Sequence, residues 1–326
     1  MGDVAMLVHT VRALRDSYPR LAITIATRKH FTAFFDGIDG VDFLTVDSGI
    51  RYKGICGMWR MAADARKRGV DAVADIHDVL RSKLLRLILK MRYGIPYSVI
   101  DKEKRLKRHA TRRRNKDLSP LKHSVMRYCD TLANIGYPVV MPEVRRIERP
   151  IPKVFEGEKR GLWAGFSPFS KQVGKSYPIE SSARLTDMLS ERFERVFIFT
   201  GGGHEHRFAL DMERTHRNVT AVYKRITLNE EIDLMSHLDV IVTMDSSAMH
   251  MASLVGTPTV SVWGQTHPAT GFYGWGTKPS SCVQLDMPCR PCSTYGNRRC
   301  PSGDYKCMKD IPPSMILDRV MALTRQ

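Results

Sequence analysis

No run of about 18 apolar residues occurs in this sequence, which excludes an ordinary membrane-spanning helix. The N-terminus lacks the basic region and small-residue cleavage site of a secretory leader, so the expected location is cytoplasmic. No internal repeat or low-complexity segment is visible. No Walker A pattern is present, which argues against a P-loop NTPase. The turn Gly201–Gly202–Gly203–His204–Glu205 follows an apolar run, yet the third glycine of a dinucleotide fingerprint would fall at His206. A hydride-transfer enzyme is therefore disfavoured. Acidic residues are also short: 34 against 51 Lys and Arg, a net charge of +17.

That imbalance implies an anionic partner: a nucleic acid, an acidic membrane surface or a phosphorylated substrate. It is concentrated in Lys102–Lys116 (KEKRLKRHATRRRNK), with nine Lys or Arg and one Glu. Stacking on nucleic acid calls for interleaved aromatics, and this run has none. The 326 residues hold two domains of typical size, and a composition 43% hydrophobic and 26% charged is that of a globular chain.

Strand and helix signals alternate along the chain, which predicts parallel sheets covered by helices. Gly2–Asp3 opens a helix with no strand before it, so the first domain is read as lacking its first strand. A start upstream of Met1, a truncated chain and a domain without that strand all fit this. Strands are expected at 21–27, 41–46 and 71–76, helices at 58–68, 79–90 and 119–135. PEVRRIERPIP (142–152) has three prolines and no periodicity, and is read as a linker. The domains are set at 1–148 and 149–326. The second series places strands at 161–166, 195–200, 219–223, 240–244 and 259–263. Helices are expected at 178–194, 204–216 and 228–237. The last helix, 312–325, is expected to pack back on the first domain.

One stretch concentrates the chemistry. Val240–Met244 is apolar and β-branched, a buried strand, and a helix follows from about Ala248. Asp245, Ser246 and Ser247 lie at the switch, where the helix N-terminus favours an anion. His250 follows Ser246 by four residues and shares its side of the first turn. The same triplet would serve as a plain N-cap. Lys175, in a loop that also holds Ser167, could reach a phosphate or be an exposed lysine. Glu205 could meet a ribose or complement the helix dipole. Asp3 could cap its helix or act as a general base.

Cys56 and Cys129 stand alone, whereas Cys282, Cys289, Cys292, Cys300 and Cys307 cluster. In a cytosolic chain such clustering points to metal or redox chemistry before disulfides. Cys289 and Cys292 form one C-x-x-C, and with two more thiols they could hold a structural zinc. Free thiols in a loop fit equally.

These motifs together resemble glycosyltransferase family 9, the lipopolysaccharide heptosyltransferases. The resemblance rests on Gly2–Asp3–Val4, Lys175 before Tyr177–Pro178, and Gly201 to Glu205. It rests most on Asp245–Ser246–Ser247–Ala248–Met249–His250 with Gly256–Thr257–Pro258 and Gly264–Gln265–Thr266–His267–Pro268. His9 and Ser247 stand where the family usually has Pro and Gly. The resemblance implies a GT-B fold, two Rossmann-like domains facing across a cleft, and transfer with inversion without a catalytic metal or other required cofactor. The donor implied is an ADP-sugar, typically ADP-heptose. The acceptor implied is an anionic, lipid-linked saccharide of the Kdo and lipid A type at the inner membrane face, with the protein peripherally attached. Asp3 would be the base. Ser167, Lys175, Asp245, Ser246, Ser247 and His250 would serve the donor diphosphate, Glu205 the ribose and the backbone near Ile226 the adenine. Lys104, Arg105, Arg108, Arg112 and Arg113 would face the acceptor. A transferase using another nucleotide-sugar is the nearest alternative; a basic nucleic-acid-binding protein is the non-enzyme one.

Overall fold

The computed structural model describes residues 1–46 and 50–325. The chain divides into two units. Unit 1 comprises Asp3–Lys102 and Ser124–Pro142, with Met1; unit 2 comprises Glu103–His123 and Glu143–Gln326, with Gly2.

In unit 1 the order is α1 (Gly2–Ser17), β1 (Ile23–Thr27), β2 (Val41–Thr45), α2 (Gly54–Lys67), β3 (Val73–Asp75), α3 (Leu80–Tyr93) and β4 (Tyr97–Val99). The helix α4 (Lys104–Ala110) belongs to unit 2, and α5 (Ser124–Ala133) returns to unit 1. The strands form two parallel pairs, β1 with β2 and β3 with β4. Met58, Met61, Ala62 and Ala65 of α2 meet Ile88 and Leu89 of α3 in one core cluster. Gly94, left-handed at φ 68°, ends α3 and turns the chain into β4.

Unit 2 continues with β5 (Trp163–Ser167), α6 (Ile179–Ser190), β6 (Arg195–Ile198), α7 (His204–Thr215), β7 (Val219–Ala221), α8 (Leu228–Ser236) and β8 (Val240–Met244). Then come α9 (Ser247–Leu254), β9 (Thr259–Val262), β10 (Cys282–Val283), α10 (Lys306–Lys309) and α11 (Pro313–Thr324). All six strands are parallel, in the order β10-β9-β8-β5-β6-β7. The chain starts at the centre, builds outward one way, then returns to build the other way. This is the doubly wound order, with its switch point between β5 and β8. Each residue of β5, β8 and β9 is buried, as strands covered on both faces must be.

One expectation needs correction, and two further segments find partners within unit 2. The basic run was assigned to the first domain, but Glu103–His123 groups with unit 2. Its anchors explain this. The Leu121 N–H donates to the Ala269 carbonyl at 2.8 Å, and Lys107 sits 4.2 Å over the Phe272 ring. Lys116 donates to the carbonyls of Cys289 and Pro291 at 3.2 and 2.7 Å. The helix α11 buries Ile316 and Val320 in the core of unit 2, against α6 and the sheet. The proline-rich stretch read as a linker is docked on unit 2. Arg146 donates to the carbonyls of Ser236 and Leu238, and the Ile147 N–H to that of Val255. Gly256 permits this contact. Its φ is +69°, and a Cβ there would lie 2.6 Å from the Arg145 carbonyl oxygen.

Candidate functional site

The carboxyl ends of β5 and β8 define the switch point, and the chemistry gathers there. Ser167 closes β5, is buried, and pairs in register with Thr243 of β8. The loop after β5 is pinned by its own polar groups. Ser176 Oγ accepts from the Ser170 N–H and donates to the Ser170 carbonyl, and the Tyr177 N–H donates to the Pro168 carbonyl. Lys175 is thereby fixed at its backbone. Its stem lies against Gly296, where an added Cβ would come within 2.3 Å of Lys175 Cδ. Its ammonium meets Asp245 at 2.9 Å, with side-chain exposures of 14% and 9%. Two sequence candidates 70 positions apart are thus one ion pair, sheltered enough to escape most salt screening.

Ser246 occupies the N-cap position of α9 with extended backbone (φ −144°), but its side chain makes no cap bond. At α8 the contrast is plain: Thr227 Oγ1 accepts from the Glu230 N–H and Glu230 reaches back to Thr227, a complete capping box. So the plain-cap reading of Asp245–Ser246–Ser247 fails on geometry. Ser246 Oγ is shielded from solvent and has no hydrogen-bond partner, and the same holds for the Thr200 and Thr266 hydroxyls. These residues follow β8, β6 and β9 respectively. An unsatisfied buried hydroxyl costs about 1–3 kcal/mol. Three of them beyond the carboxyl ends of β9, β8 and β6, on either side of β5, suit a polar ligand. Ser247 begins α9, and His250, buried, is its fourth residue.

Glu205 turns its carboxylate back on the glycine turn and accepts from the Gly201 N–H at 2.8 Å. Ile226 is half-buried just before α8, and the neighbouring Thr227 N–H is taken by Glu230 at 2.8 Å. Asp3 lies in unit 1, exposed in the first turn of α1. Burial holds Tyr128 protonated, with Asp3's charge adding to the effect. Lys104, Arg105, Arg108, Arg112 and Arg113 are exposed on the basic run of unit 2.

The burial and partners of several groups had no local signal. Gln265 is fully buried, and its Nε2 donates to the Arg298 carbonyl. Arg290 is buried and donates to the carbonyls of Gly264, Leu285 and Thr266 and to Gln284. One cation of the apparent excess is therefore spent inside the fold. His267 accepts from the Ala269 N–H, and burial with the nearby Arg290 charge pushes it down to about 4. Burial alone pushes the Glu231 carboxyl up to about 7. Only contacts between distant segments create these states.

The zinc expectation is not met: among the described residues no three His, Cys, Asp or Glu side chains are arranged to hold a metal. Cys282 sits on β10 as the acceptor of the Ser261 hydroxyl, away from the rest. Burial pushes the Cys292 and Cys307 thiols up, Cys307 to about 11.

The sequence model of glycosyltransferase family 9 (heptosyltransferase) matches residues 58–301. Lipooligosaccharide heptosyltransferase 2 of Campylobacter jejuni is 25% identical over 133 residues, 40% of this chain and 41% of that protein. The match thus spans about two-fifths of that relative's length. Lipopolysaccharide core heptosyltransferase OpsX of Haemophilus influenzae is 21% identical over 280 residues, 82% of this chain and 77% of that one. Among solved structures, the E. coli ADP-heptose LPS heptosyltransferase II aligns with a TM-score of 0.66 at 18% identity, over 99% of this chain and 95% of that one. That likeness is one of fold, the GT-B fold the motifs implied.

Proposed function

Because the chain belongs to glycosyltransferase family 9 (heptosyltransferase), we propose that it transfers a heptose-like sugar from an ADP-sugar, with inversion, to an anionic lipid-linked saccharide of lipopolysaccharide core type. The observation that carries this reading is the switch-point arrangement. A sheltered ammonium, a helix N-terminus and three unpartnered hydroxyls lie just beyond the carboxyl ends of β9, β8 and β6 in one parallel sheet. That donor set suits a diphosphate.

In this reading Asp3 takes the proton from the acceptor hydroxyl. The acceptor oxygen bonds to the anomeric carbon, the bond from that carbon to the diphosphate oxygen breaks, and ADP leaves. Lys175, Ser246, Ser247 and the start of α9, with His250 beside them, stabilise the charge that develops on ADP. Asp245 holds the Lys175 ammonium rather than meeting the phosphates, since a free carboxylate there would repel them. Ser167 closes the same end of the site. Glu205 releases the Gly201 N–H to take the ribose, and the backbone at Ile226 meets the adenine. No cofactor is needed. Lys104, Arg105, Arg108, Arg112 and Arg113 attract the anionic acceptor, and the protein works at the cytoplasmic face of the membrane, peripherally attached.

Titration of ADP by calorimetry tests the donor half. Lys175→Ala weakens ADP at least about tenfold, as expected for a lost charge-assisted contact. Asp3→Asn abolishes transfer and leaves ADP affinity unchanged. Tight binding of an RNA oligomer with no ADP binding would falsify the reading.

A further inference from the structure

Two packed helices of unit 1 leave an apolar stripe in solvent. On α3, Leu80, Leu87 and Met91 recur at the i, i+7, i+11 spacing of one helical face, while Leu84 on that face is half-buried and packs against the core. Leu80 is 85% exposed, Leu87 49% and Met91 77%. The helix has already met its packing need through Ile88 and Leu89, with Leu84 and Leu85 packed against the same core. On α2, Ile55 and Trp59 stand four residues apart and are 66% and 43% exposed. Arg92 of α3 lies over the Trp59 ring at 5.5 Å, which joins the two exposed faces. An apolar surface of this extent marks an interaction site rather than the scatter of single hydrophobics normal on a monomer.

The flanks identify the occupant. Helix α3 carries Arg81, Lys83, Arg86, Lys90 and Arg92 and no acidic residue. Arg86 is committed to Asp75 and Asp78, and Lys83 keeps a longer contact with Asp78 at 3.6 Å. By helical spacing Lys83 and Lys90 border the stripe on one side, and Arg81 and Arg92 on the other. Apolar residues along the middle and cations along both edges match an anionic bilayer in cross-section. The stripe enters the boundary of headgroups and acyl chains, while the long basic side chains reach outward to phosphates.

We propose that the α2–α3 face of unit 1 docks this chain in the plane of an anionic lipid bilayer. No helix among the described residues is long and apolar enough to cross one. The proposal rests on the membrane contact in the reading above and assigns it to α2 and α3 instead of the Lys102–Lys116 run. The assay below involves no sugar transfer and no ADP, so its failure and the failure of that reading are separable.

Full-length chain is co-sedimented with vesicles of phosphatidylcholine, with and without phosphatidylglycerol, across a salt series. Binding is expected with phosphatidylglycerol and to weaken as salt rises. The paired substitution Leu87→Glu and Met91→Glu lowers it at least about tenfold with the thermal melt unchanged, because the stripe must enter the lipid. Lys83→Gln with Lys90→Gln lowers it several-fold and flattens the salt dependence. As a readout free of the folding of these variants, brominated lipid quenches the unaltered chain and quenches Trp59→Phe less. Undiminished binding by the Leu87/Met91 variant overturns the proposal. So does a loss confined to Arg112→Gln, Arg113→Gln and Arg114→Gln. Self-association that Met91→Glu abolishes, without vesicle binding, overturns it too by making the face a contact between copies.

Discussion

The two units solve the same α/β problem to different depths. Unit 2 joins six parallel strands in one sheet, with β5, β8 and β9 buried throughout. Unit 1 divides four strands into two pairs, and β1 through β4 alternate or fray toward solvent. A strand covered on both faces has little freedom to shift, so what its carboxyl end presents is held in place. That is where Lys175, Asp245 and Ser246 sit. Unit 1 has less to cover its helices, and α2 and α3 keep broad faces in contact with solvent. The deep unit suits a pre-formed polar pocket; the shallow one suits a surface encounter.

Substitutions can break or sharpen this contrast. The largest effect is expected in the central sheet. Phe166→Ala, at a fully buried position of β5, costs about 3–5 kcal/mol of stability in denaturant unfolding. Phe43→Ala on β2, half-buried, costs clearly less, and equal costs would undo the comparison. Next comes the ion pair. Asp245→Ala leaves the Lys175 ammonium sheltered and uncompensated, a loss of about 2–4 kcal/mol. The double variant with Lys175→Ala recovers part of it, and additive losses in the cycle would show the pair to be uncoupled.

The smallest effect is set by pH and is confined to unit 2. Glu231 has a folded pKa raised to about 7, so its protonated form belongs to the folded state. Its contribution is complete below its unfolded value near 4.5 and is lost as the pH rises toward 7. His267 is opposite in sign. Its folded pKa is lowered to about 4, so stability is complete above about 6.5 and falls as the pH drops toward 4. Glu231→Gln should therefore stabilise the chain at pH 8 by on the order of 2 kcal/mol and leave it unchanged at pH 4. Unfolding curves at the two pH values check this, and a gain at pH 4 would contradict the assignment.

Much of this architecture was legible beforehand. Apolar β-branched runs such as Val240–Met244 read as buried strands, and 204–216 and 228–237 came within a residue of their helices. The short strands β4 and β10 were missed, because three and two residues carry no readable period. The switch-point residues were legible because a strand, a polar triplet and a helix are contiguous there. Arg290 was not, nor was the burial of Gln265 within its motif, since nothing adjacent in sequence marks a polar side chain for burial. The basic run misled for the same reason: charge density is local, whereas its anchorage on Ala269, Phe272 and Pro291 is not.

The sequence alone determined the alternation of strand and helix, the doubling of the α/β series and the anion-favouring start of α9. Each depends on residues within about one turn or one strand of each other. Tertiary structure decided the rest. It paired Lys175 with Asp245, withdrew Ser246 from capping, kept the clustered thiols from forming a metal site and moved Glu103–His123 to unit 2. These outcomes depend on burial or on partners more than a dozen residues away, and no local pattern carries that information.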